Sequence, residues 1–373
     1  MTPEFETQTH ASPFARTCLV AYLVLIVYAS WFPFSGWQIN NLSALTDVLQ
    51  QWPRYWGGFD AGVNIVGYIP LGILLVFSLY PTQRGVLAIC VAALLGGLIS
   101  LGMECVQYFL PSRVTSLLDV LTNLSGATIG ALIGVRLSPT VLEKGRLRLL
   151  QKQWLRNESS RQLVVLGLWP LAQIYPQAYL FGLGQLLPIL STWTEDILEI
   201  DIDLGELLRQ GIDLSAEEFL LSETLITACG CTGAILLCLS LFNRHAPKFA
   251  LSIVLLTVTF GVKSLASALM FQPEHAFIWL TPGAQGGLLI SAIMLYGFSY
   301  APHQAQRRIA VLLLLLSLCI VNLIPTNPYF AATLQSWSQG KFLNFYGAAQ
   351  FLTVMWPFIA LRYLMFSRPA QQS

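Results

Sequence analysis

Residues 103–130 read MECVQYFLPSRVTSLLDVLTNLSGATIG. Two long apolar stretches meet here across a short polar turn. Glu104, Gln107, Pro111, Arg113, Ser116, Asp119 and Asn123 all fall inside it. Beyond the turn Gly126, Gly130 and Gly134 recur every fourth residue, a spacing that lets membrane helices approach closely. Ionisable groups at membrane depth are costly, so a cluster of them between two apolar helices needs a reason.

The rest of the chain settles the class. Hydrophobic residues make up 55% of the 373 residues and charged residues only 10%. The mean hydropathy is +0.63. Soluble domains carry about 25% charged residues. The solvent of this chain is mostly lipid, and the fold class is all-α, a polytopic transmembrane helical bundle. A net charge of +1 says little about partners, and no basic patch with interleaved aromatics supports nucleic-acid binding. All seven cysteines lie in or beside apolar stretches, where they read as small buried residues rather than disulfides or a metal pair.

Runs of about 20 apolar residues cross a hydrocarbon core of about 30 Å as helices. Ten runs qualify: 17–36, 61–80, 85–109, 117–136, 163–182, 219–242, 249–271, 284–301, 309–324 and 344–366. The fifth holds Pro170 and Pro176 and is expected to kink or break. The first follows Arg16 and lacks a cleavage-site pattern, so it reads as a signal anchor. Arg136, Lys144, Arg146, Arg148, Lys152, Arg156 and Arg161 mark the loop after the fourth run as cytoplasmic. Ten spans then place both termini in the cytoplasm of a cell bounded by its inner (plasma) membrane. With that topology 15 of the 20 basic residues fall inside. Only Arg54, Arg113, Arg209 and Lys341 fall outside, and Lys263 sits within a span.

These loops suggest the domain organisation: a membrane domain over 1–140, a basic linker over 141–162, and a second membrane domain of about six helices over 163–373. In the linker, KGRLRLLQKQWLR has the character of a basic helix lying on an anionic leaflet. The loop 183–218 is its mirror image. It carries nine acidic residues against Arg209, and its ILEIDID segment is amphipathic.

Three spans contribute to the polar cluster. Asp60 and Asn64 are four apart and share a helix face. Glu104 and Gln107, three apart, share another, and Asp119 and Asn123 a third, continuous with the glycine ladder. The second span starts outside, the third ends outside and the fourth starts outside. All these groups, with Arg113, are therefore expected at one outer level, roofed by the Pro-Ser-Arg turn.

The pattern N-x3-Y-I-P-L-G is present as Asn64 and Tyr68–Gly72. It is followed by E-x2-Q-x3-P-x-R-x2-S-x2-D-x3-N-x2-G-x3-G, from Glu104 to Gly130. Together these resemble the VanZ-like family of bacterial membrane proteins over about residues 15–140. The resemblance implies a cell-envelope role, with a link to resistance against teicoplanin, a glycopeptide antibiotic that acts on the cell wall.

Three readings of the pocket stand side by side. In the first it binds or modifies a lipid-linked or surface-polymer substrate at the outer leaflet. Arg113 would then meet a phosphate or carboxylate, and Glu104 or Asp119 would serve as acid or base. Asp60, Asn64, Gln107, Ser116 and Asn123 would hold the head group. In the second, Asp60, Glu104 and Asp119 hold a divalent cation, although the absence of a nearby histidine favours no metal and no cofactor. In the third, Arg113 neutralises the two acids in a purely structural clamp and the chain is a membrane scaffold. Membrane lipids are the expected partners throughout.

The second half offers Glu223 and Lys263, which antiparallel neighbouring spans could bring together, as a structural ion pair or as the relay of a transporter. A serine hydrolase is disfavoured, since no histidine lies near Ser112 or Ser116 in sequence and no G-x-S-x-G elbow occurs.

Overall fold

The computed structural model describes residues 12–38, 46, 52, 58–143, 153–155, 160–198, 200, 202–209, 214–243, 245–271, 273–325 and 343–366. Among these residues the chain is helical and free of strands, apart from one isolated bridge between Leu155 and Phe242. The helices fall into two compact units, residues 1–153 and 154–373. Most of the basic segment 144–156 lies outside the described residues, as do Glu199 and Asp201 of the acidic loop.

Among the described residues four α-helices build the first unit: α1 (Pro13–Trp31), α2 (Gly58–Leu79), α3 (Gly85–Gln107) and α4 (Leu117–Ser138). Each start and stop has a local cause. Ser12 caps α1, its hydroxyl accepting the Ala15 N–H, and Pro13 fits the first turn, where its missing N–H is not needed. Pro33 disfavours helical geometry at Phe32, so α1 ends at Trp31. Ser116 caps α4 in the same way as Ser12 caps α1, accepting the Leu118 N–H at 3.1 Å.

α2 and α4 pack backbone on backbone. A Cβ placed on Gly130 would lie 2.1 Å from the Ile69 carbonyl oxygen, and one on Gly126 2.2 Å from that of Ile65. From the other side, a Cβ on Gly72 would lie 2.1 Å from the Ala127 carbonyl oxygen. No side chain of any size fits this crossing, which is why the ladder is glycine. Leu71, Leu75, Val76, Ala88, Ala92, Ala127 and Ala131 form the core beneath it. Val20, Val24, Val66, Leu94, Leu98 and Leu132 face outward and are exposed, a surface suited to lipid.

The second unit comprises α5 (Ser160–Leu171), α6 (Leu187–Leu198), α7 (Leu204–Arg209), α8 (Ala216–Leu241), α9 (Lys248–Met270), α10 (Pro282–Ser299), α11 (His303–Leu323) and α12 (Leu343–Phe366). Buried α8 is its centre and packs against α10 and α11. Among the described residues eight helices are long and apolar enough to span a membrane: α1–α4, α8, α9, α11 and α12. α10 has 18 residues and opens with the weakly apolar PGAQGG.

The run 163–182 does not form a spanning helix. α5 stops at Leu171, one residue after Pro170, and its 12 residues reach only about 18 Å. The chain then continues without helix and largely buried to residue 186. Non-helical backbone at membrane depth needs protein partners. Asn322 supplies several, accepting from the N–H groups of Leu186 and Leu187 and donating to the Gly184 carbonyl. Thr227 donates to the Leu180 carbonyl and Thr353 to that of Ala172.

Candidate functional site

The sequence-predicted polar residues do gather at one end of the first unit. α2 brings Asp60 and Asn64, α3 brings Glu104 and Gln107, and α4 brings Asp119 and Asn123. Three direct contacts bind the helices together there. Asn64 Nδ2 donates to Asp119 Oδ1 at 2.8 Å. The Ser116 backbone N–H donates to Glu104 Oε2 at 3.1 Å. Asn123 Nδ2 donates to Ser100 Oγ at 2.9 Å.

Glu104 and Ser116 act on the start of α4. Glu104 is 4% exposed, and its carboxylate takes a backbone N–H that the helix cannot pair internally. A charge-assisted bond of this kind contributes about 1.5–3 kcal/mol. Asp119, in the first turn of the same helix, stands at the positive end of its dipole.

Arg113 and Gln107 act on the end of α1. Arg113 Nε donates to the Phe32 carbonyl at 3.0 Å. One terminal nitrogen donates to Ala29 at 3.1 Å and to Phe32 at 2.7 Å. Gln107 Nε2 donates to the Ser30 carbonyl at 2.8 Å. Three carbonyls left over at a helix C-terminus thus receive donors, and a cation sits at the negative end of the dipole. The sequence had suggested an Arg113 that brackets two carboxylates. In the structure its fork closes on α1, with Glu104 near enough to act on it electrostatically. Partial burial pulls the guanidinium below its ordinary value, and the Glu104 charge pushes it back up.

Two further residues belong with this cluster: Tyr68, which the sequence placed only in the Y-I-P-L-G pattern, and Ser100. Tyr68 lies one turn below Asn64, near enough to the Ser100 side chain to interact with it. Ser100 lies one turn below Glu104 and is fully buried. The spacing i, i+4 from residues already singled out was the available signal for both. The polar file therefore runs two helical turns along α2, from exposed Asp60 through Asn64 to buried Tyr68, roughly 12 Å. It stops at the apolar core.

Two polar atoms of this unit deserve note for what they lack. Asn123 is 6% exposed, and its Oδ1 has no donor among the described residues. Trp31, the last residue of α1, leaves its Nε1 buried without an acceptor among the described residues. Asp60, Glu104 and Asp119 do not converge as metal ligands: among the described residues no group of three His, Cys, Asp or Glu could hold a metal ion.

In the second unit Glu223 and Lys263 do not pair. Thr281 Oγ1 donates to Glu223 Oε1, and the other carboxylate oxygen lies against Gly283, where a Cβ would come within 2.3 Å. Lys263 is 4% exposed and forms no hydrogen bond or ion pair among the described residues. All seven cysteines are free.

No curated protein and no solved structure matches the chain. The helices that carry the polar end do match: residues 19–138 fit the sequence model of the VanZ/LLP1 family, and the first unit holds a VanZ-like domain.

Proposed function

We propose that the polar end of the VanZ-like domain binds, and acts on, the head group of a lipid-linked or cell-wall polymer molecule. It would do so at the outer leaflet of a bacterial plasma membrane, with a consequence for glycopeptide susceptibility of the teicoplanin type. The observation that supports this most is the surplus of polar groups over architectural need. Glu104, Ser116, Gln107 and Arg113 are occupied in finishing helices. Asp60, Asn64, Asp119 and Asn123 cap no helix end, yet they gather at the same end of the unit. A scaffold's needs could be met with fewer polar groups, since a buried polar network costs stability unless it is fully satisfied.

Within this reading the roles divide. Asp119 is the candidate acid or base, because its second oxygen accepts no bond among the described residues. Asn64 fixes its orientation. Asp60 is exposed, and Asn123 is buried one turn deeper than Asp119. Arg113 and Glu104 hold the walls in place and contribute through position.

A deletion strain tests the proposal. Its membrane-lipid and cell-wall composition is expected to change, with an altered susceptibility to teicoplanin, and the wild-type gene restores both. A strain identical to its parent in composition and susceptibility would remove the envelope reading.

A further inference from the structure

We propose that the group entering the polar end is a primary ammonium on a membrane-borne head group. This rests on the site reading above and adds the chemistry of its ligand. It follows from counting donors and acceptors.

Apart from Trp31 Nε1, the donor groups at this end each hold an acceptor. Arg113 Nε and one of its terminal nitrogens point to the Ala29 and Phe32 carbonyls, and Gln107 Nε2 to that of Ser30. Asn64 Nδ2 is held by Asp119, and Asn123 Nδ2 by Ser100. Acceptors remain. They are the exposed Asp60 carboxylate, the second oxygen of Asp119 and Asn123 Oδ1. Charge points the same way: among the described residues Asp60, Glu104 and Asp119 stand against Arg113 alone, and Asp60 is close enough to Asp119 for their charges to interact.

Asn123 Oδ1 is the independent observation. It belongs to a side chain 6% exposed and has no donor among the described residues. A buried acceptor left unpaired costs about 1–3 kcal/mol, so the site is poised for a donor. Asn123 lies one turn deeper than Asp119 on the same helix face, so a group with several N–H bonds, entering past Asp60, meets successive acceptors. A phosphate or carboxylate would face the opposite balance of charge. Its only orphaned partner at this end among the described residues is Trp31 Nε1, which suits the oxygen atoms of the remainder of the same head group.

The test uses the purified full-length protein in detergent, with bound lipid read by native mass spectrometry. Two matched pairs differ only at nitrogen. Phosphatidylethanolamine is set against phosphatidylcholine, and glucosaminyl-diacylglycerol against its N-acetylated form. At least a five-fold preference for the free amine in either pair is expected, and the responding pair names the source of the ammonium. Asp119→Asn keeps the shape and can still accept from Asn64, so it is expected to bring that preference to parity with the fold intact. Equal binding within both pairs overturns the inference, as does a preference that survives Asp119→Asn or a stronger retention of phosphatidylglycerol. If the pairs are not discriminated while Asp119→Asn still fails to restore the deletion strain, only the ammonium falls and the site stands. If Asp119→Asn restores the strain fully, both fall.

Discussion

Gly130→Leu is expected to abolish assembly of the first unit. The crossing of α2 and α4 leaves no space for even one added carbon, since a Cβ would stand 2.1 Å from the Ile69 carbonyl oxygen. That neighbour is backbone and cannot rotate away. Leucine adds four carbons, so the helices must separate, and Asn64 and Asp119 separate with them. Overpacking costs about 1–3 kcal/mol in ordinary cores and more where backbone must move, so about 3 kcal/mol or more is expected here. Thermal unfolding of the purified protein measures it. Gly62→Leu is the control, because a Cβ there meets nothing within 4 Å, and its unfolding temperature should stay near wild type. Equal stability for Gly130→Leu and Gly62→Leu would show that the two backbones do not touch.

Arg113→Met is expected to release the end of α1. It removes the charged donors on Ala29 and Phe32 and leaves those carbonyls to other partners. Bonds to charged groups contribute about 1.5–3 kcal/mol each and are not additive, so a loss of about 3 kcal/mol is expected. The signature is local: amide hydrogen exchange should rise over Ala29–Phe32 before it rises in α2 or α4. Arg113→Lys should recover only part of the loss, because a single ammonium lacks the planar fork that spans two carbonyls. Full rescue by lysine, or exchange that rises first in α4, would mean that Arg113 serves the acids rather than α1. This has a practical consequence. Variants of Arg113 report on folding, and a loss of function in them says nothing about binding.

How far the sequence could be read differs from one residue to the next. The glycine ladder and the Asp119–Asn123 face were legible because both follow the period of a single helix. The meeting of Asn64 with Asp119 was legible at the level of place, since alternating spans return three helix ends to one side. The destination of Arg113 was not. Its partners lie 81 and 84 residues away at the C-terminal end of α1, and a backbone carbonyl leaves no mark in a sequence. Charge alone pointed to Glu104 and Asp119, yet the uncapped end of α1 was the stronger demand. Tyr68 stands in the family pattern but not in the expected polar cluster, and Ser100 in neither, because each sits in a run dominated by apolar residues. The proline pair at 170 and 176 announced a break but not the buried non-helical chain that follows. That chain depends on Asn322 and Thr353 from distant helices.

The division of labour at the polar end is the centre of the account: some residues build it and others use it. Asp119→Asn separates the two most directly. It preserves size, keeps an acceptor for Asn64 and removes only the charge. Expressed at wild-type abundance in a deletion strain, it is expected to leave the lipid and cell-wall composition at the deletion value. Full restoration of the wild-type composition by Asp119→Asn would contradict the account and leave the polar cluster as architecture.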